Sequence, residues 1–339
     1  MDEQTALVLA LQLVALFSIA GALLLYLLCK IRVGNGPEAS GSTPGGGKAV
    51  LVTSADNSVG LQIAVHLANR GFRVFAGLKD GASSGSPDDS VPSRVIRAWQ
   101  KHRESLTGQC QGALVALPLD VTREDLLHEA VDIIRAHLPA GEDGMWAVIN
   151  TSGLSYRGRL DQQDIAHWDA ILKTNVVGVL RTARTFQGLL RNTSGRLINF
   201  GVPESAEAGL VAYTASRYAV EGASNALRQE LAPTGIKVVT LRLSGVSPEL
   251  LHAPPKLDTL VYDASTNTIE QRNVYRKEER SDISVDISGC IEYQPLVLTE
   301  CALRVLDVAI TAGAPCNVYS LAPKGHWANP VSFFKSLIV

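Results

Sequence analysis

Two groups of residues in this chain have the types and spacing for chemistry. Tyr213 and Arg217 stand four apart inside a helical pattern, so both side chains fall on one helix face. A phenol titrates at about 10 in water, and a cation held beside it favours the phenolate, which equips it to move the proton of a carbinol hydroxyl. Taken alone, the pair reads rather as an ordinary tyrosine and surface arginine of an amphipathic helix. The second group is the turn Thr53-Ser54-Ala55-Asp56-Asn57-Ser58-Val59-Gly60 between an apolar run and a helical pattern. Such a turn offers backbone N–H groups and a helix N-terminus to a phosphate. Gly60 permits close backbone approach, whereas Ser54 and Ser58 put a Cβ at two positions where glycine would allow positive φ. A serine hydroxyl can itself donate to phosphate, but weaker binding is the expectation.

These residues need elements to bring them together. Short β-branched runs at Ala49–Thr53, Arg73–Gly77, Leu114–Pro118, Trp146–Asn150, Arg196–Phe200, Lys237–Leu243 and Asn317–Leu321 read as strands. Helical patterns lie between them, near Val59–Arg70, Arg123–His137, Ile165–Arg191, Val211–Ala232 and Thr299–Thr311. Near-continuous apolar strands alternating with helices imply an α/β fold, a Rossmann-type doubly wound parallel sheet of about seven strands. Its ligand site is expected at the carboxyl ends of the strands. The Ser, Gly, Pro and Asp run from Gly81 to Ser93 reads as a surface insertion. The polar stretch from Val246 to Pro295, with room for a helix or two, is expected over the cleft.

On these residues the chain resembles the short-chain dehydrogenase/reductase family. The first turn is similar to Thr-Gly-x-x-x-Gly-x-Gly with two glycines replaced by serine. Asp120-Val121 ends the third strand, where the family has an Asp that contacts adenine. Asn150-Thr151-Ser152-Gly153 ends the fourth, where the family has Asn-Asn-Ala-Gly. Asn175 stands at the family's structural and catalytic Asn, and Tyr213 with Arg217 at its Tyr-x-x-x-Lys. The resemblance covers roughly residues 48 to 245. The words GFRVFAGLKD (71–80) and GMWAVIN (144–150) resemble the β-hydroxybutyrate, retinol and type 2 17β-hydroxysteroid dehydrogenases. It implies a catalytic set of Tyr213, Arg217 and Asn175. It also implies a cofactor site of Thr53, Ser54, Asn57, Ser58, Val59, Gly60, Lys79, Asp120, Val121 and Asn150. The cofactor is expected to be NAD. The acid that usually ends strand two is replaced at about Leu78 and followed by Lys79, which leaves NADP open.

The departures are chemical. Arginine keeps the charge of the family's lysine but is never deprotonated, so it cannot relay a proton. The family's serine donor falls at Phe200 by counting from Tyr213, or at Gly201-Val202 by aligning the strand. Ser205 is a substitute only if its loop folds back, and Leu243-Ser244-Gly245 stands where the family has Pro-Gly. Losing a donor at the reacting oxygen costs about 10²–10³ in rate.

The N-terminus carries a separate signal. Residues 6–29 hold no charged residue, and a helix of that length spans roughly 36 Å, enough for a hydrocarbon core of about 30 Å. A cleaved signal peptide would start basic and be shorter, whereas this chain starts Met1-Asp2-Glu3-Gln4. The organisation expected is a tip (1–5), a transmembrane anchor (6–29), a flexible linker (30–47), one dehydrogenase-like domain (48–325) and an apolar tail (326–339). Lys30 and Arg32 behind the span place the domain on the cytosolic side, with the endoplasmic reticulum as the expected membrane. A net charge of −2 points away from nucleic acid, and the 7 histidines show no metal-ligand spacing. The 5 cysteines are widely spaced and suggest neither a disulfide framework nor zinc. Pairing through the long helices, common for this fold, would make a homodimer.

Two functions remain from the sequence. One is an oxidoreductase acting on a hydroxyl or ketone of a steroid, sterol, retinoid or similar apolar molecule. The other is an impaired relative that binds lipid or acts as a scaffold.

Overall fold

The structure, a computed structural model, describes residues 45–79, 90–105, 112–202, 206–243, 245–255 and 297–321. Residues 6–29 and 326–339 lie outside it, as do Ser205, Ser244 and most of the stretch expected over the cleft. Among the described residues no helix is long and apolar enough to cross a membrane.

Seven strands form one parallel sheet in the order β3-β2-β1-β4-β5-β6-β7. They are β1 (Ala49–Val52), β2 (Arg73–Leu78), β3 (Ala113–Pro118), β4 (Ala147–Asn150), β5 (Arg196–Phe200), β6 (Lys237–Leu243) and β7 (Val318–Leu321). The helices are α1 (Ser58–Asn69), α2 (Val91–Ser105), α3 (Glu124–His137), α4 (Ile165–Leu172), α5 (Gly178–Asn192), α6 (Val211–Leu231), α7 (Pro248–His252) and α8 (Glu300–Thr311).

Side chains of a strand alternate between the two faces of its sheet. In β1, Val50 and Val52 join a core with Val74, Ile149 and Ile198, closed by α1, α2 and α8 through Ile63, Trp99 and Leu306. Leu51 points the other way, into a core with Phe75, Val148 and Leu197, closed by α3 and α5 through Leu127 and Phe186. This is the doubly wound arrangement expected. The winding reverses between β1 and β4, which are hydrogen-bonded neighbours, and in a sheet wound this way the ligand site belongs there, at the strands' carboxyl ends.

Three details differ from the sequence reading. The domain begins before residue 48: the N–H groups of Gly45 and Gly47 donate to the carbonyls of Arg70 and Gly71 at 3.0 and 2.9 Å. A Cβ on Gly45 would stand 2.4 Å from backbone carbon of Gly71, so the glycine run packs rather than merely tethers. Helix α2 was not anticipated; its Trp99 is buried and donates from Nε1 to Asn69 Oδ1 at 2.8 Å. The long helix expected from Ile165 to Arg191 is interrupted at Lys173–Val177 by a π-turn, with Gly178 N–H donating to Lys173 O.

Candidate active site

The first turn is held from behind by hydroxyls. Thr53 Oγ1 lies 2.9 Å from Ser152 Oγ and accepts from Thr151 N–H at 3.1 Å. Ser54 N–H donates to Thr151 Oγ1, which donates back to Ser54 O at 2.9 Å. The turns after β1 and β4 are thus fastened together. Asn57 caps α1 by accepting from Gly60 N–H at 2.7 Å, and its Nδ2 donates to Thr151 O and Ser54 Oγ at 2.9 and 3.2 Å. A Cβ on Gly60 would meet Ser54 O at 1.7 Å, so glycine is required for the turn to close on its helix. Among the described residues only Ser194 combines a side chain with positive φ. The strain expected of Ser54 and Ser58 is therefore absent, because this turn follows a path that tolerates a Cβ. Val59 is buried against the first core.

Past the carboxyl ends of β2 and β3, Asp120 accepts from Thr122 N–H and Oγ1, each at 2.8 Å, and lies 3.4 Å from Lys79 Nζ. Burial pushes this carboxyl up, but the Thr122 bonds and Lys79 outweigh it and leave it below its usual value. Lys79 N–H donates to Asp56 Oδ2 at 2.6 Å. Val121 packs where the π-turn ends, since a Cβ on Gly178 would stand 2.6 Å from Val121 Cγ2.

The asparagines act as braces. Asn150 Nδ2 donates to Asn199 Oδ1 at 2.7 Å, and Asn199 Nδ2 donates to Ser224 Oγ on α6. Asn175, inside the π-turn, accepts from Leu154 N–H at 2.8 Å and donates to Leu154 O and Ser216 Oγ, each at 3.0 Å. Its amide is spent on joining the loop after β4 to α6, one turn from Tyr213. Asn175 is a positioning residue here.

Tyr213 and Arg217 are buried, at 4% and 1% exposure, although arginine is rarely fully buried. The guanidinium carbon lies 4.9 Å from the Tyr213 ring centre. Arg217 Nη1 reaches Phe200 O at the end of β5 at 3.5 Å, and a Cβ on Gly153 would come within 2.7 Å of Nη2. The pair therefore sits at the carboxyl ends of β4 and β5, as expected. The serine position also follows β5 directly but is turned toward β6 and α6: a Cβ on Gly201 would stand 2.5 Å from Thr240 Cγ2, and Val202 N–H donates to Glu221 Oε2 at 3.2 Å.

Residues not anticipated from the sequence stand in front of this set. Arg217 Nη2 donates to His252 Nε2 at 2.9 Å, and Tyr213 Oη lies 3.5 Å from the same nitrogen. Burial, and then the Arg217 charge, hold His252 well below its usual value, so the imidazole is neutral. Its ring lies over Gly153, where a Cβ would be 2.3 Å from Cε1. Next to it, Ala253 O accepts from both Ser58 N–H and Ser58 Oγ, at 2.9 and 3.0 Å. Further out, Arg157 joins Glu249 at 2.6 Å and Glu207 at 2.7 Å. No short motif flags His252 or Ala253, which reach the site only through the fold.

The turn suits a dinucleotide: a capped helix start, a glycine that no Cβ can replace, and Lys79 just past the carboxyl end of β2. With residues 247–255 docked, however, the Ser58 donors and one Arg217 nitrogen already have acceptors.

Comparison with known proteins bears on the same residues. The short chain dehydrogenase profile matches residues 48–256. The chain is 31% identical over 223 residues to D-beta-hydroxybutyrate dehydrogenase, mitochondrial, of Bos taurus, covering 64% of this chain and 60% of that protein. It is 32% identical over 207 residues to estradiol 17-beta-dehydrogenase 2 of Mus musculus, covering 58% and 48%. It is 28% identical over 213 residues to retinol dehydrogenase 16 of Mus musculus, covering 59% and 58%. The chain thus spans about half to three fifths of the length of these relatives. The matched span starts just before β1, ends just past the imidazole that meets Arg217 and covers more than half of the chain: this chain belongs to the short chain dehydrogenase family.

Proposed function

We propose that the chain is a membrane-anchored, NAD(P)-dependent oxidoreductase acting on a hydroxyl or ketone of a steroid, sterol, retinoid or similar lipid, with Tyr213 as the acid–base group. The observation that carries this reading is the buried phenol of Tyr213 beside a buried guanidinium at the carboxyl ends of β4 and β5. The nicotinamide, when bound, supplies the hydride acceptor or donor. Tyr213 Oη then takes the proton from the carbinol in the oxidative direction and returns it in the reductive one. Arg217 keeps a fixed positive charge beside the Tyr213 ring and does not relay protons. Thr53, Asn57, Ser58 and Gly60 shape the phosphate end, and Asn175 fixes the loop after β4 against α6.

The lipid class is supported by the relatives named for estradiol and retinol and by the apolar segment 6–29, which would hold the domain at a membrane. The endoplasmic reticulum, with the domain in the cytosol, follows from the basic residues behind that segment. NAD is favoured because the resemblance implies it. The Lys79–Asp120 pair keeps NADP in view. We also propose a homodimer through α4–α6.

The test is oxidation of a panel of secondary alcohols (steroid, retinol, 3-hydroxybutyrate) by the full chain in detergent, with NAD⁺ or NADP⁺. Tyr213→Phe is expected to lower kcat by about 10²–10⁴ with unchanged circular dichroism. Undiminished turnover in that variant removes Tyr213 from the mechanism and the reading with it.

The second reading, an impaired relative that binds lipid or acts as a scaffold, is favoured by one observation: Ala253 O and His252 already hold Ser58 and Arg217. Lipid binding without any affinity for NADH or NADPH would establish it.

A further inference from the structure

We propose that residues 247–255 are a built-in competitor of the dinucleotide: Ala253 O occupies the donors meant for the pyrophosphate, His252 those beside the nicotinamide ribose, and the cofactor binds only when this segment withdraws. The inference rests on the oxidoreductase reading and goes beyond it.

The start of a helix after a β1 turn is an anion site because its N–H groups lack intrahelical acceptors. Here Ser58 directs both its N–H and its hydroxyl to one carbonyl oxygen, 195 residues along the chain. A carbonyl oxygen carrying two hydrogen bonds is a chemical stand-in for a phosphate oxygen. His252 repeats the pattern at Arg217, taking the guanidinium donor that faces Gly153. Among the described residues the imidazole Nδ1 is buried and without a partner, so there the ring gains its place from Arg217 and not from a network of its own.

The segment is built to arrive there. Ser247 caps α7 by accepting from Leu250 N–H, and Pro248 stands at the first turn. Leu251 is 2% exposed and packs in the core that includes Val59, next to Ser58. Glu249 is tied to Arg157, itself tied to Glu207 and to Ala208 O. One short helix is thereby fixed at the substrate end, at the catalytic pair and at the phosphate turn. Proline at 254 and 255 follows at once, which holds the chain extended past the Ala253 carbonyl.

A ligand that needs a minor conformation has its affinity lowered by the fraction in that conformation. Removing either tie should therefore tighten cofactor binding without touching the turn. The experiment is a fluorescence titration of the full chain in detergent with NADH and with NADPH, for the wild type, His252→Gly and Glu249→Gln. Hydrogen exchange of peptides covering Ser58 and residues 247–255 is followed in the same samples. We expect His252→Gly to bind at least about tenfold more tightly and Glu249→Gln a few-fold more tightly. NADH should raise exchange in 247–255 while protecting the Ser58 peptide. Equal or weaker binding by both variants, or exchange in 247–255 that NADH leaves unchanged, overturns the competitor alone. Absence of binding to either nucleotide in all three proteins overturns the oxidoreductase reading as well.

Discussion

At the scale of single residues, the losses in this site are matched by the packing around them. Where alignment of β5 puts the family's serine, the chain has Gly201, and the space a Cβ would need is already taken by the Thr240 methyl at 2.5 Å. Restoring the hydroxyl by Gly201→Ser therefore forces β5 and β6 apart. Overpacking of this kind costs about 1–3 kcal/mol. The expected result is a melting midpoint lowered by several degrees and no gain in kcat; a stable variant with faster turnover would show that the donor was lost for no structural reason. Arg217 follows the same logic. Its planar fork serves Phe200 O and His252 Nε2 at once, from different nitrogens. A lysine's single ammonium is a poorer match to both. Much of this scale was legible: Tyr213, Arg217, Gly60 and Asn57 announce themselves by type and spacing. The freedom of Ser54 and Ser58 from strain was not, because φ depends on the turn's path and not on residue identity.

Elements were legible where both faces are buried. Strands such as AVLV (49–52) and AVIN (147–150) are apolar throughout because helices cover the sheet on two sides. Helix α2 is hard to read from sequence because it is short of apolar residues, with Pro92, Val95, Ile96 and Trp99 buried among the described ones. The π-turn was missed because an extra residue in a helix leaves no compositional mark, yet it turns Asn175 inward. Helix α7 could not be placed from sequence, since its contacts lie 35 to 195 residues away. Its docking has a pH consequence. His252 faces Arg217 and Tyr213 on α6, and burial with the Arg217 charge depresses its pKa. A depressed imidazole supports the docked state fully above its ordinary value of about 6.5 and progressively less as pH falls below it. One unit below that value, docking is weakened by about 1.4 kcal/mol. Exchange of residues 247–255 should therefore rise roughly tenfold between pH 7.5 and 5.5, after correction for intrinsic rates. His252→Gln should remove the step, and a step that persists in that variant assigns the pH response to another group.

For the whole molecule, the surface to explain is the one formed by α4, α5 and α6. Ile165, Leu172, Val177 and Leu180 along the interrupted long helix are 67%, 43%, 40% and 40% exposed, and Val211 and Tyr218 on α6 are 54% and 61%. Single exposed apolar residues are ordinary, but six fall on these packed helices, and we propose that they form one stripe covered by a second copy. A two-fold axis through such a stripe brings each residue to bear twice, once from each subunit. The helices that would meet there are the ones carrying Asn175, Tyr213 and Arg217, so pairing would stiffen the catalytic end of the sheet. Burying a leucine contributes about 1.5–3 kcal/mol, and its loss on both subunits roughly 3 kcal/mol or more. That is about a hundredfold in the dissociation constant. Leu172→Glu is therefore expected to convert a dimer at micromolar concentration into monomer in sedimentation velocity, and to lower kcat without lowering the secondary-structure signal. A wild-type chain that sediments as a monomer at the same concentration leaves the stripe to some other partner and removes pairing as the reason for its exposure.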